Sequence, residues 1–390
     1  MKVLITTDLF VANTNGVVTS VKNLEKELIK RGHEVRILTF SRSLKSIRKG
    51  SVYYIKSISF GFIYPDIRMP ISYHNALVDE LIRWKPDVIH SQCEFFSFQF
   101  ASRISRLTNA PIVHTYHTLY EQYVDYLIPL RQLGNPLVHV LSRKRLKNVD
   151  MIIAPTKKVK NALREYGVKN PVCIVPSGIS LKQHQRRVTQ KERILKRRKL
   201  GIPDSHKVLL NLGRLGTEKN LQELLKLFAR LLERNKKLTF LIVGDGPAKE
   251  ELEQLCIKLK ISDHVIFTGM VPPTQVQEYY QIGDVFVNAS TSETQGLTYI
   301  EAAANGLPLV CRRDSCLEEV IKEGVNGYEY NTPNEFFRAV WKVLEDDKWR
   351  EAAGRNSEEI AKSFDKECFG KKVEKVYKKV LQGNKSRGFQ

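Results

Sequence analysis

"KVLITTDLFVANTNGVVTSVKNLEKELIKRGHEVRILTF", residues 2–40, sets two short apolar runs around one long amphipathic segment. "KVLIT" (2–6) and "EVRILTF" (34–40) read as buried strands. Between them "VVTSVKNLEKELIKR" (17–31) repeats apolar residues at helical spacing, and Gly32 closes it. Strand, helix, strand in this order is the crossover unit of a parallel sheet. The rhythm continues with "DVIHS" (87–91), "PIVHTY" (111–116) and "MIIAP" (151–155). A polar, basic stretch follows at 180–200, "SLKQHQRRVTQKERILKRRKL", and reads as a linker and the lead-in to a second unit.

Then the rhythm restarts. "KVLLNLG" (207–213), "LTFLIVG" (238–244), "HVIFTG" (264–269), "DVFVNAS" (284–290) and "LPLVC" (307–311) are strands, and 221–234, 248–260 and 298–305 are helical. The expected fold is α/β, two Rossmann-like doubly wound domains facing a central cleft. The expected boundaries are 1–178 and 179–365, with the basic helix 366–381 packing back on the first domain. In open sheets of this kind ligands bind beyond the carboxyl ends of the strands, so the chemistry belongs in the loops that follow them.

Composition narrows the classes. The chain has 390 residues, and single cores stop growing near about 250–300 residues, which favours two domains. No apolar run approaches the ~20 residues of a membrane span, and the N-terminus reads as a strand, without a signal peptide's cleavage pattern. Six scattered cysteines without a C-x-x-C argue against a disulfide framework or a zinc site and suit a reducing cytosol. The net charge is +21, with 26 Lys/Arg against 13 Asp/Glu in residues 1–175, so the excess is stronger in the first half. Nucleic acid, an anionic membrane surface and anionic small ligands all select such a balance, and general solubility is the plain alternative. No RNA- or DNA-binding signature accompanies the charge, so no nucleic-acid partner is expected.

Several loops carry candidate chemistry. "GRLGTEKN" (213–220) puts Arg214 and Lys219 just after a strand, where guanidinium and ammonium groups suit a phosphate pair; solvated turn charges are the alternative. "GDGP" (244–247) is a tight turn, without the third glycine of a dinucleotide fingerprint. "MVPP" (270–273) is a rigid loop able to offer backbone groups to a base. "ETQGLTYIE" (293–301) follows a strand and begins a helix near Leu297, with Ser290, Thr291 and Ser292 as expected caps. The amides of Gly296, Leu297 and Thr298 then form a helix N-terminus suited to a pyrophosphate. Glu293 sits before that helix and Glu301 one turn inside it. In the first half, Gly16 lets backbone approach a ligand at a helix start. His117 lies beyond a strand end and can act, whereas His114 and His33 read as packed or structural. No Asp-x-Asp follows a strand to hold a divalent metal, so no obligatory metal and no cofactor are expected. Arg214, Lys219 and the helix N-terminus stabilise a leaving phosphate instead.

In this order, "NGVVTSV", "RGHEV", "GRL", "EKN", "VGDGP", "TSETQGLTYIEA" and "GLP" span nearly the whole chain. The set resembles the retaining GT-B glycosyltransferases with an E-x7-E motif. "NTNGVVTSV" and "VHTYHTLYEQY" resemble the bacterial monoglucosyldiacylglycerol synthases. The resemblance implies a UDP-sugar donor, with UDP-glucose expected, and a retaining, front-face transfer of a hexose. It implies that Glu301 binds the donor ribose and that Arg214 and Lys219 hold the diphosphate. Glu293 and the amides of Gln295, Gly296, Leu297 and Thr298 would meet sugar and phosphates, Val271 the base, Gly16 the diphosphate, and His117 the sugar near the reacting centre. Three positions depart from the wider pattern: Asn15 beside Gly16, Ser180 in "PSGIS" (176–180), and Gln295. The first is shared with lipid-glucosylating members.

The implied acceptor is a membrane lipid, diacylglycerol, giving an alpha-glycosyl glycolipid. The alternatives are another glycolipid, a polyprenyl-linked glycan or a cell-wall polymer. A sugar-nucleotide epimerase of the same fold is a further alternative. A lipid acceptor calls for an anionic membrane surface as partner and a peripheral place on the cytoplasmic face of the cell membrane. The segment 127–147, with Arg131, Arg143, Lys144, Arg145 and Lys147, reads as interfacial, and an ordinary helix with a basic face is the alternative. The aromatic stretch 53–64 is a second interfacial candidate, or else a strand and a packed loop.

Overall fold

The computed structural model describes residues 1–10, 16–60, 67–119, 131–184 and 186–387, the side chains of 131–138 and 385–387 excepted. The chain forms two compact units, Met1–Gly178 with Lys366–Gln390, and Ile179–Asp365.

In the first unit the described residues form an eight-stranded sheet. Along the chain its strands are β1 (Lys2–Thr6), β2 (Glu34–Phe40), β3 (Ile47–Lys49), β4 (Val52–Ile55), then, past the β5 (Ser57–Ser59) and β6 (Arg68–Pro70) ribbon, β7 (Val88–Ser91), β8 (Ile112–Thr115), β9 (Met151–Ala154) and β10 (Val172–Ile174). The spatial order is β10-β9-β8-β7-β1-β2-β4-β3. All neighbours are parallel except β3 against β4. The order reverses between β1 and β7, so the loops after these two strands leave in opposite directions. Tyr53 and Ile55 are buried in β4, so the first part of the aromatic stretch 53–64 is core strand rather than a surface segment. Residues 61–64 lie outside the described residues.

The terminal helix Lys366–Arg387 lies on the helix Gly16–Lys30. Phe369, Val373, Tyr377 and Val380 share a buried cluster with Val3, Ile5, Leu24 and Leu28. Tyr377 reaches the sheet: its hydroxyl lies 2.6 Å from Nδ1 of His90, whose Nε2 lies 2.7 Å from the Thr115 hydroxyl. Both rings are fully buried, so these bonds satisfy polar atoms that would otherwise carry a desolvation cost.

The second unit has a six-stranded sheet of β11 (Lys207–Leu212), β12 (Leu238–Val243), β13 (Val265–Phe267), β14 (Val285–Asn288), β15 (Leu309–Arg312) and β16 (Gly327–Tyr330). The order is β13-β12-β11-β14-β15-β16, and every pairing is parallel. All six residues of β12 are buried, as a strand covered on both faces requires. Helix Leu221–Arg234 supplies Leu224, Leu225, Phe228, Leu231 and Leu232 to one core face at i, i+3, i+4 spacing. The basic stretch 180–200 is a turn, Leu181–His184, and a helix, Gln190–Lys199. Arg197 of that helix is buried against Asp284 at 2.8 Å, with Arg193 on the other carboxylate oxygen at 2.7 Å. β10, β16 and the helices Pro333–Glu345 and Asp347–Ala361 are among the elements not singled out from sequence, while β4 realises the strand alternative given for 53–64. β10 and β16 are short edge strands of three and four residues.

Phe369→Ala should remove about 3–5 kcal/mol from the first unit. Urea unfolding checks this in a Trp341→Phe/Trp349→Phe background, where the remaining tryptophan, Trp84, belongs to that unit. An unchanged midpoint would mean that Phe369 is not packed in this core.

Candidate functional site

In the second unit strand order reverses between β11 and β14, where ligands of doubly wound sheets bind. After β11 the chain turns at Gly213 and Gly216 and enters a short turn, Thr217–Lys219, before the helix Leu221–Arg234. After β14 it runs to Glu293 and then to the helix Leu297–Ala304. Lys219 and Glu293 close the gap between these two loops, Nζ to Oε1, at 2.6 Å. Both side chains are largely covered, so the pair keeps more of its attraction than a surface bridge does. Arg214 bonds Glu218, whose carboxylate is tucked under Gly216. Both cations singled out from sequence are thus matched to carboxylates. Glu218 was missed, because no helix joins it to Arg214 and helical spacing gives no signal for a pair across a glycine turn.

Gly296 has φ +70° and opens the helix. A Cβ there would lie 2.3 Å from the Tyr299 ring, so this turn excludes any other residue. The expected serine caps are a correction. The residue at the N-cap is Gly296 rather than a serine. Ser290 and Ser292 point at each other at 3.2 Å, the Ser290 amide bonds Asn288, and Ser292 donates to the Glu218 carbonyl. The serines are committed to the loop itself, which leaves the helix's first amides to other partners. Gln295 is buried and Leu297 and Thr298 are half-buried beside it.

Glu301 projects from the same helix. Tyr280, on the helix Val276–Ile282, donates its hydroxyl to Oε2 of Glu301 at 2.9 Å. Burial pushes the Glu301 carboxyl up to about 7, opposed by the Tyr280 bond. Tyr280 lies 21 residues before Glu301, and no local spacing announced it. The remaining loops line up at the same strand ends. Gly244 has φ +134°, and a Cβ there would lie 1.9 Å from the Gly213 carbonyl oxygen, so the turn requires glycine. The Leu215 amide donates to the Asp245 carbonyl at 3.0 Å, and the Gly244 amide to that of Gly269. Val271 is half-buried against the core, and Met270 beside it is 76% exposed.

In the first unit the corresponding ends carry a buried polar set. Asp8 follows β1 and accepts from the amides of Phe96 and Ser97 and from the Ser97 hydroxyl, so it caps the helix Phe96–Thr108 from outside it. Burial pushes Asp8 up to about 6. His114 is fully buried with Nε2 3.0 Å from Glu94, and His33 sits beside Glu374 and the N-terminus. His117 lies past the end of β8, half-buried, with Nε2 2.8 Å from the Gln92 carbonyl oxygen. Burial lowers His117 to about 4, against the pull of Glu94, so it is neutral at pH 7. Gly16 is exposed at the first turn of its helix; Asn15 lies outside the described residues.

Of the basic segment, Arg131–Leu146 is helical, and the side chains of 131–138, Arg131 included, lie outside the described residues. Arg143, Lys144 and Lys147 are exposed. Arg145 is half-buried and donates to the Phe95 carbonyl, and Leu146 is buried in the core. Among the described residues no helix is long and apolar enough to cross a membrane, and no group of three or more His, Cys, Asp or Glu is placed to hold a metal.

The family described as glycosyl transferases group 1 matches residues 192–360, and that described as glycosyltransferase family 4 matches residues 14–183. The chain is 34% identical over 388 residues to the alpha-monoglucosyldiacylglycerol synthase of Streptococcus pneumoniae, covering 98% of this chain and 87% of that protein. It is 31% identical to the enzyme of the same name from Acholeplasma laidlawii, covering 99% of each. The chain belongs to the GT-B glycosyltransferases. Solved relatives carry the same fold at low identity. This GT-B chain matches the sucrose-phosphate synthase of Thermosynechococcus elongatus with TM-score 0.78 at 20% identity, over 98% of this chain and 99% of that one. It matches Anabaena HepE, crystallised with UDP, with TM-score 0.77 at 16% identity, over 97% and 100%. As a glycosyltransferase it is an enzyme.

The raised Glu301 carboxyl sets a pH signature for this enzyme. Unfolded, a glutamate ionises near 4.5; folded, Glu301 holds its proton to about 7. Its contribution to stability is complete below 4.5 and is lost as pH rises through 7. Glu301→Gln should therefore match the parent near pH 4.5 and melt at a higher temperature above pH 7, with the gap opening between. A gap independent of pH in thermal unfolding would contradict the assignment.

Proposed function

We propose that this enzyme transfers a hexose, glucose from UDP-glucose, with retention of configuration to diacylglycerol, forming an alpha-glycosyl lipid at an anionic membrane surface. The observation that carries the proposal is the likeness along almost the whole chain to two proteins named alpha-monoglucosyldiacylglycerol synthase. The carboxyl-end loops of the second unit support it. Arg214 and Lys219 stand where a diphosphate would meet two cations. The helix N-terminus at Gly296–Thr298 adds free amides and partial positive charge. Glu301 offers a carboxylate to ribose hydroxyls, and the loop at Val271 lies at the matching strand end for a base.

In the proposed reaction the bond from the sugar's anomeric carbon to the UDP oxygen breaks, and its electron pair leaves with the diphosphate. Arg214, Lys219 and the amides stabilise that charge as it develops. The acceptor hydroxyl attacks from the same face and passes its proton to the departing phosphate oxygen, so configuration is retained. His117, neutral at pH 7, is a hydrogen-bonding partner for the sugar rather than a cationic acid. Glu293, held by Lys219, is proposed to meet the transferred sugar. No obligatory metal is proposed. Arg143, Lys144 and Lys147, exposed and basic, are proposed to meet anionic headgroups at the cytoplasmic face of the membrane, each contributing about 1 kcal/mol near such a surface.

The test offers radiolabelled UDP-glucose, UDP-galactose and UDP-N-acetylglucosamine with and without diacylglycerol in anionic vesicles. Labelled lipid from UDP-glucose, formed only with vesicles, is expected; label on a soluble acceptor would refute the proposal. Glu301→Ala should weaken UDP binding about 10–100-fold, the scale of lost bonds to a charged group. His117→Ala should leave UDP affinity near the parent value and lower kcat by about 100-fold or more. Calorimetric UDP titration beside turnover assays separates the two roles.

A further inference from the structure

Glu301 is held by one oxygen. Tyr280 donates to Oε2 at 2.9 Å, and its hydroxyl also lies 3.3 Å from the Thr298 carbonyl. The Tyr280 ring is fully buried and packs on Phe286, 6.1 Å between centroids. Glu301 itself stays half-buried, and its other oxygen, Oε1, has no hydrogen-bond partner among the described residues. A carboxylate's terminal torsion is broad, so an unanchored group would swing. A phenol has one proton to give, and Tyr280 spends it inward, which leaves Oε1 as the acceptor presented outward.

We propose that Tyr280 is a positioning residue for the donor nucleotide: by fixing Oε2 it aims Oε1 at the hydroxyls of the ribose and so favours ribonucleotides over 2′-deoxyribonucleotides. This rests on the ribose role proposed for Glu301. The other charged groups on elements packed against the Glu301 helix are engaged elsewhere or exposed. His184 bonds Asn305, Glu358 pairs with Arg187, Glu278 pairs with Lys196, Lys182 is exposed, and Asp347 and Arg350 pair with each other. Tyr280 is the titratable side chain bonded to Glu301. Its bond favours the ionised carboxylate, so removing it should make Glu301 harder to ionise.

The experiment titrates UDP and 2′-deoxyuridine diphosphate calorimetrically into the full-length parent, Tyr280→Phe and Glu301→Ala between pH 6 and 9. Tyr280→Phe should weaken UDP about 5–20-fold near pH 7 and 2′-deoxyuridine diphosphate less, so the preference narrows. The pH midpoint of its UDP affinity should move upward. A loss of packing alone would weaken both ligands equally and leave the midpoint in place, and that result overturns the proposal. The affinity ratio does not depend on the folded fraction, so it stays decisive if Tyr280→Phe is less stable. Parent-like UDP affinity in Glu301→Ala would overturn the ribose role itself. Weak UDP binding in Glu301→Ala with a parent-like ratio and midpoint in Tyr280→Phe would overturn only the role of Tyr280.

Discussion

Each central strand of the second unit is covered on both faces, and a parallel sheet built that way has no polar surface of its own. Polar chemistry is driven to the loops at the carboxyl ends. Where strand order reverses, between β11 and β14, the two loops leave in opposite directions and something must bridge them. The Lys219–Glu293 ion pair does so at 2.6 Å. Its position follows from topology: one partner comes from the loop after β11, the other from the loop after β14, 74 residues later. Around it gather Arg214 with Glu218, the glycine-opened helix start, and Glu301 with Tyr280.

The pairing of cations with carboxylates has an electrostatic consequence. A site with bare Arg and Lys groups would repel itself and draw any anion. Here each cation already has a carboxylate within bonding distance, so under the proposed function a diphosphate would compete with a resident partner. Discrimination would then rest on geometry and on the number of donors that converge, rather than on bare charge. Much of the net charge of +21 lies elsewhere, on exposed helix faces such as Arg143, Lys144 and Lys147. The same side-chain types are thus paired with carboxylates in the loops and exposed on the helix faces.

Legibility in the sequence followed the range of the interactions. The helix 221–234 was read with its observed ends, because its leucines repeat at helical spacing and report burial directly. Strands 2–6 and 34–40 match their observed ends, whereas several others were read one or two residues long because flanking turn residues such as Pro155, Gly213 and Gly244 were counted with the apolar run. The short edge strands β10 and β16 carry too few residues for a pattern. Ser290 and Ser292, with Thr291 between them, were read as caps because they have the right chemistry in the right place. The loop folds on itself, and Asn288 and the Glu218 carbonyl claim their bonding groups.

The sequence by itself determined the two β-α rhythms, the loops that follow strands, and the residue types in them, because hydrophobic period and turn chemistry are local properties. It also placed Glu293 and Glu301 on different elements, since the glycine at 296 separates loop from helix. Only the tertiary structure decided who their partners are. Lys219 reaches Glu293 because parallel pairing brings distant loops to one edge. Tyr280 reaches Glu301 because two helices pack on the same sheet face, and burial there lifts the carboxyl to about 7. Such contacts depend on strand order and helix packing, which join residues far apart in the chain and leave no period in the sequence to read.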